Sequence, residues 1–116
     1  MRILGFSKRW NKLEHPKFTT FRFPRKDSTK GRDWHESEQV QVVYHPRHKN
    51  REILGIAKIT SKEPRYLARI TNQEAKTDGF VNYLDMMRWL SSTYPDRELL
   101  TRQPMNKLTL TWIKRL

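Results

Sequence analysis

The sequence predicts one small α+β domain: a β-barrel or strongly curved sheet of about five to six strands, with two short helices packed on one side. Three observations carry this. The chain has 116 residues, which suits a single compact domain over 1–116. Five stretches show the apolar alternation or β-branched content of strands, and the helical spacing falls together, between the fourth and the fifth. Strands and helices therefore do not alternate, which argues against a doubly wound parallel sheet. A curved sheet of about five strands also closes without long bare edges.

Each element has its own reason. Leu4 and Phe6 open a short apolar strand. Residues 18–23 are aromatic and β-branched, and Pro24 limits the strand they form. Residues 24–38 are polar and aperiodic and read as a long loop. Residues 39–44 alternate and end at His45-Pro46. The basic turn 45–51 then leads into a strand over 52–60, with Ile53, Gly55, Ala57 and Ile59 on one face, so the two strands form a hairpin. Thr71 and Glu74 have capping-box spacing and start a helix that stops at Gly79. Asn82 caps a second helix over 83–93, with Tyr83, Met86, Met87 and Leu90 at helical spacing and Pro95 beyond its end. Residues 95–104 read as a charged loop. Residues 105–113 alternate again, with Leu108, Leu110 and Trp112 on one face of a final strand.

Charge points to the partner. Lys and Arg number 24 against 12 Asp and Glu, a formal net charge of +12. Such an excess attracts polyanions, chiefly nucleic acid or an anionic membrane surface. It is concentrated: residues 1–32 hold ten basic side chains against Glu14 and Asp27. Cysteine is absent, which excludes disulfides, thiolate zinc sites and cysteine nucleophiles. No apolar run approaches the roughly 20 residues of a membrane helix. The chain start turns to charge too soon for a signal peptide, so the expectation is a cytoplasmic protein without a membrane partner. His45 and His48 lack a carboxylate partner, so no metal is expected.

The residues that carry chemistry lie on the second strand. Thr20 and Arg22 are two apart and share a face, and Lys17 stands at the strand's start, where its long stem reaches the same side. A Lys, a hydroxyl and an Arg that converge suit an anion, a phosphate or a developing oxyanion. The plain alternative is that both cations sit on the solvated face of a half-buried strand. Glu74 and Asp78 are one helical turn apart. Glu74 is explained by the capping box, whereas an acid at Asp78, late in a helix, opposes the helix dipole, so Asp78 is the preferred acid and Glu74 the second.

Lys17-x-x-Thr20-x-Arg22 resembles the K-x-x-T-x-R signature of the ASCH family, a branch of the PUA-like superfamily. Ala75-Lys76-Thr77-Asp78-Gly79-Phe80 is similar to that family's A-x-x-acid-G-F segment. The family often has Gly where His15 stands and Gly-Asp where Ser37-Glu38 stands. The resemblance spans nearly the whole chain and implies a PUA-like β-barrel that binds RNA or a nucleotide, with no cofactor. It also implies an alternative, since some ASCH members are amidohydrolases that remove an acetyl group from the exocyclic amine of cytidine and others are described as ribonucleases. Carried over, Lys17 is the base, Thr20 the nucleophile and Asp78 the assisting acid, with Arg22 orienting the substrate.

The expected nucleic-acid contacts are Arg22, the loop cations Arg25, Lys26, Lys30 and Arg32, and a second wall of Arg47 and Lys49 with Arg51. Both loops read equally well as solvated. Trp10, set between Arg9 and Asn11 with Lys8 and Lys12 close by, is placed to stack on a base or to anchor the first strand. Trp34, Trp89 and Trp112 read as core. A reading outside nucleic acid is a protein-docking face on the second helix, built from Met86, Met87, Trp89 and Leu90.

Overall fold

A computed structural model describes residues 1–24, 33–94 and 102–116. The expected loop cations Arg25, Lys26, Lys30 and Arg32 lie outside the described residues. Five strands and two α-helices lie wholly within the described residues, in chain order: β1 (Arg2–Phe6), β2 (Lys17–Arg22), β3 (Gln39–Tyr44), β4 (Glu52–Arg65), α1 (Asn72–Asp78), α2 (Tyr83–Thr93) and β5 (Met105–Arg115). A 3-10 turn over Asn11–Glu14 joins β1 to β2. The class is α+β, as the sequence predicts.

The strands form one sheet in the order β1-β3-β4-β5-β2. β1 pairs with β3 in parallel, and the other three pairings are antiparallel. Register shifts between Val42 and Val43, Ile56 and Ala57, and Ile59 and Ser61 mark bulges, which bend and over-twist a sheet. The sheet curls into a half-barrel, and its two edge strands approach each other. The Arg22 guanidinium donates from Nη2 to the Gly5 carbonyl at 2.7 Å, and the Phe6 and Phe18 rings meet edge to face at 6.2 Å.

The curl makes two cores. Leu4, Phe6, Phe18, Val40, Val42, Ala57, Ile59, Leu108 and Leu110 fill the inside of the half-barrel. Phe21, Leu67, Ile70, Ala75, Phe80, Met86, Leu90 and Met105 pack the helices against the β2–β5 side. β2 is therefore buried on both faces: Phe18 faces the first core and Phe21 the second. Met86 and Leu90 of the expected docking face of α2 are buried, and the partly buried Met87 and Trp89 pack against the same cluster.

The helix boundaries follow local chemistry. Thr71 Oγ1 accepts from the Glu74 amide at 3.0 Å, while Glu74 Oε1 accepts from the Thr71 amide at 3.1 Å. Gly79 ends α1 at φ 113°, a left-handed C-cap that favours glycine. Asn82 Oδ1 accepts from the Asp85 amide and caps α2.

Two features depart from the sequence pattern. β4 runs to Arg65, five residues past the expected end, because β5 pairs with it as far as Arg65 opposite Met105. Pro64 falls where β3 no longer flanks β4, so its missing N–H lies on a stretch with one partner strand. Ile53, expected on the buried face, is 38% exposed. Val42 pairs with Gly55 and Val43 with Ile53, so Leu54 is the extra residue of a bulge and takes the inward position. At Gly55, φ is 148°, and a Cβ there would lie 2.1 Å from the Lys114 carbonyl oxygen.

Candidate functional site

A cleft opens where the end of β1, the 3-10 turn, β2 and the two helices meet. Its volume is about 120 Å³. Lys12, Thr20, Arg22 and Asp78 line it with the Ser7 and Thr93 hydroxyls, among aromatic rings that include Phe6, Trp10, Phe80, Trp89 and Tyr94.

Local structure explains how these groups arrive. The 3-10 turn buries Lys12 and Leu13 side by side. Asp78 is the last residue of α1, and the Gly79 cap turns the chain so that Phe80 follows into the wall. A Cβ at Gly79 would come within 3.0 Å of the Trp10 ring, so the absence of a side chain lets Trp10 lie over the helix end. Trp10 meets Phe80 at 5.0 Å and Trp89 at 5.2 Å, both near edge to face. Lys8 sits over the Trp10 ring at 4.4 Å.

The floor of the cleft is a buried ion pair. Lys12 Nζ lies 3.1 Å from Asp78 Oδ1, and the two residues are 6% and 5% exposed. Thr19 Oγ1 donates to the same oxygen at 3.4 Å. Burial pushes the Lys12 amine below the usual lysine range although Asp78 pulls it back, and the Arg22 charge lowers it further. Burial likewise raises the Asp78 carboxyl, against the pull of Lys12, Arg22 and the Thr19 hydroxyl. Both partners are thus drawn towards their neutral forms, and the pair is a potential proton donor and acceptor within one hydrogen bond.

Arg22 is arranged differently. Its Nε donates to Thr20 Oγ1 at 3.1 Å, and Nη2 donates to the Gly5 carbonyl. Burial lowers its pKa, while Tyr94 and Asp78 oppose that shift. A guanidinium stays charged at neutral pH, so the cleft carries a net cation there once Lys12 and Asp78 compensate each other.

Thr20, Arg22, Asp78 and Trp10, all singled out in the sequence, line this cleft. Lys17 does not. It is exposed at the start of β2, opposite Thr111, and the amine in the cleft is that of Lys12. The β2 residues that line the cleft, Thr20, Phe21 and Arg22, stand further along the strand, towards Asn106 of β5. Glu74 is also elsewhere. It accepts from Lys107 Nζ at 2.8 Å and Arg65 Nε at 3.1 Å besides capping α1. Burial raises its pKa, but the Lys107 bond, the Thr71 amide and Arg65 together hold it down to about 2, so it is a structural carboxylate. Arg47 lines a second hollow beside the cleft, whereas Lys49 is exposed and borders neither cavity.

Among the tryptophans, Trp34 is in the half-barrel core and Trp112 packs on it, donating from Nε1 to the Leu13 carbonyl at 3.1 Å. Trp89, read as core, is partly exposed and belongs to the cleft wall. Lys12 and Thr19 were not anticipated. Lys12 is one of ten cations in its third of the chain, and its partner is 66 residues away, so no local spacing singles it out. Among the described residues no group of three His, Cys, Asp or Glu side chains is placed to hold a metal ion. No helix among them is long and apolar enough to cross a membrane.

Comparison with protein-family models, with curated proteins and with solved structures returned no match to this chain.

Proposed function

We propose that this protein is an ASCH-like, PUA-like domain that binds RNA or a nucleotide, and that its cleft takes one base. The observation that supports this most directly is the composition of the cleft: aromatic rings on its walls, with an amine, a carboxylate, a hydroxyl and a guanidinium at its floor. Stacking suits any base, and the floor offers both donors and acceptors to a base edge. The volume of about 120 Å³ is well below that of sites for drug-sized ligands, roughly 300–1,000 Å³, which favours a single ring system. The +12 charge supplies attraction to the phosphate backbone outside the cleft. The left-handed φ of 70° at Ser37, where ASCH sequences often carry Gly, is a further point in favour.

The test is titration with nucleotides and short single-stranded RNA, read by tryptophan fluorescence, because Trp10 and Trp89 stand in the wall. Binding should quench that fluorescence. For RNA, log affinity should fall with log salt at about −0.7 per phosphate neutralised. No quenching at low salt, or a flat salt response, overturns the proposal.

A second reading, hydrolysis of N-acetylated cytidine, is favoured by the lowered Lys12 amine beside Asp78. A desolvated lysine that has given up its proton can activate a hydroxyl, here that of Thr20, which lines the same cleft. In this form of the proposal Lys12 takes the role expected of Lys17. The check is release of free cytidine from acetylated cytidine. Turnover that survives Thr20→Ala refutes the nucleophile.

A further inference from the structure

Beside the cleft lies a second hollow, of about 550 Å³, that shares Gly5, Phe6, Ser7 and Arg22 with it. The parallel pairing of β1 and β3 creates it. The two strands stay in register to Phe6 opposite Tyr44, and the His45 amide continues the ladder to the Phe6 carbonyl at 2.9 Å. Because the strands run the same way, the segments that follow them leave from the same end. Ser7 thus faces the turn that carries His45, Arg47 and His48.

The chemistry of this hollow is one-sided. Arg22, Arg47, His45 and His48 line it together with the Ser7 hydroxyl, and no carboxylate lines it among the described residues. Glu52, opposite Tyr44 in the β3–β4 ladder, is taken up by an ion pair with Arg9. His48 Nδ1 accepts from the Asn50 amide at 3.1 Å, which leaves Nε2 as its N–H donor. Two guanidinium groups, imidazole donors and a hydroxyl around a space open to water match the oxygen atoms of a phosphate, which takes several charge-assisted hydrogen bonds.

We infer that the hollow is a phosphate subsite, held by Arg22, Arg47 and His48, and that the cleft's ligand is therefore a nucleotide, free or within an RNA strand, rather than a nucleoside. The inference rests on the base-binding reading of the cleft. Arg22 is the link, since it is the charged side chain that lines both cavities and is tied to Thr20 on one side and to Gly5 on the other.

Isothermal titration tests it with uridine, cytidine, their 5′-monophosphates, inorganic phosphate, and a five-residue oligouridylate without a terminal phosphate. The monophosphates should bind at least about tenfold tighter than the nucleosides. Arg47→Ala should remove most of that difference and leave nucleoside affinity within about twofold; Arg47→Lys, which keeps a charge without the fork, should restore part of it. Inorganic phosphate should compete with the monophosphates and not with the nucleosides. Urea unfolding of each variant confirms that the fold is kept. An oligouridylate that binds as tightly as the monophosphate, and loses affinity in Arg47→Ala, assigns the site to an internal phosphate of RNA. Binding confined to the monophosphates assigns it to a free nucleotide or a 5′ end. If nucleosides bind and the phosphate adds nothing, or if Arg47→Ala weakens both classes equally, the subsite is wrong and the cleft reading stands. If neither class binds, both fail.

Discussion

Replacing Lys12 by Met takes the cation out of a pair in which both residues are almost fully buried. At 3.1 Å and an effective dielectric of roughly 20, the attraction within the pair is about 5 kcal/mol. Desolvation of two ions opposes it by several kcal/mol each, so the intact pair contributes little net stability. Removing one partner alone is different, because the other stays buried and uncompensated, at about 3–5 kcal/mol. Asp78 has a partial escape. Its carboxyl is already raised, and without Lys12 it takes up a proton, so Lys12→Met should cost about 3 kcal/mol. Asp78→Asn should cost at least as much, since Lys12 then stays charged near Arg22 or gives up its proton. Small domains have about 5–15 kcal/mol in all, so both variants should fold with a visible loss.

The assay is urea unfolding of both single variants and of the double variant. Lys12→Met with Asp78→Asn should cost at least about 1.5 kcal/mol less than the two singles added together. The pH dependence has a definite sign. In Lys12→Met the native state holds a proton on Asp78 that the unfolded chain releases near pH 4. Stability of that variant should therefore fall as pH rises from about 4 through the raised native value, and Asp78→Asn should lack this loss. Additivity within about 0.5 kcal/mol, or a Lys12→Met variant whose stability is flat over pH 4–8, refutes the reasoning.

Other outcomes follow from single contacts. Gly55→Ala places a Cβ 2.1 Å from the Lys114 carbonyl at a φ that disfavours side chains, and should cost about 3 kcal/mol or more, read as a large drop in Tm. The Glu74 carboxyl titrates near pH 2 when folded and near 4.5 when unfolded, so its stabilisation is full above about 4.5 and is lost as pH falls towards 2; Glu74→Gln should flatten that part of the acid unfolding curve. Lys17→Ala should leave the affinity for a mononucleotide within about twofold, whereas Arg22→Met should lower it at least about tenfold, both measured by tryptophan quenching. A large loss in Lys17→Ala would show that the family spacing is a better guide than the geometry of the cleft.

The local elements were legible because local chemistry sets them. The Thr71 and Glu74 capping box, the Gly79 stop and the Asn82 cap each satisfy backbone groups within four residues of themselves. β3 was legible from its alternation. Thr20 and Arg22 were legible as a pair on one strand face, and they line one cleft. Legibility stopped where residues far apart decide the outcome. β4 is longer than its own pattern because β5 extends it, and Ile53 faces outward because a bulge changes the parity of a strand. Lys17 has the family spacing but is exposed at the start of β2, and the amine in the cleft comes from Lys12.

By itself, the amino-acid order determined the class of domain, the helix caps, most strand cores and a strongly positive charge that suits a polyanionic partner. Only the tertiary structure decided that Lys12, among the described early cations, is buried, because a 3-10 turn carries it to the end of a helix 66 residues away. It also decided that Arg22 lines two cavities at once, because the curl of the sheet brings β2 to the open edge of β1. Charge and periodicity act over a few residues and are written along the chain. Burial and pairing depend on which distant surfaces meet, and that is settled only when the sheet closes.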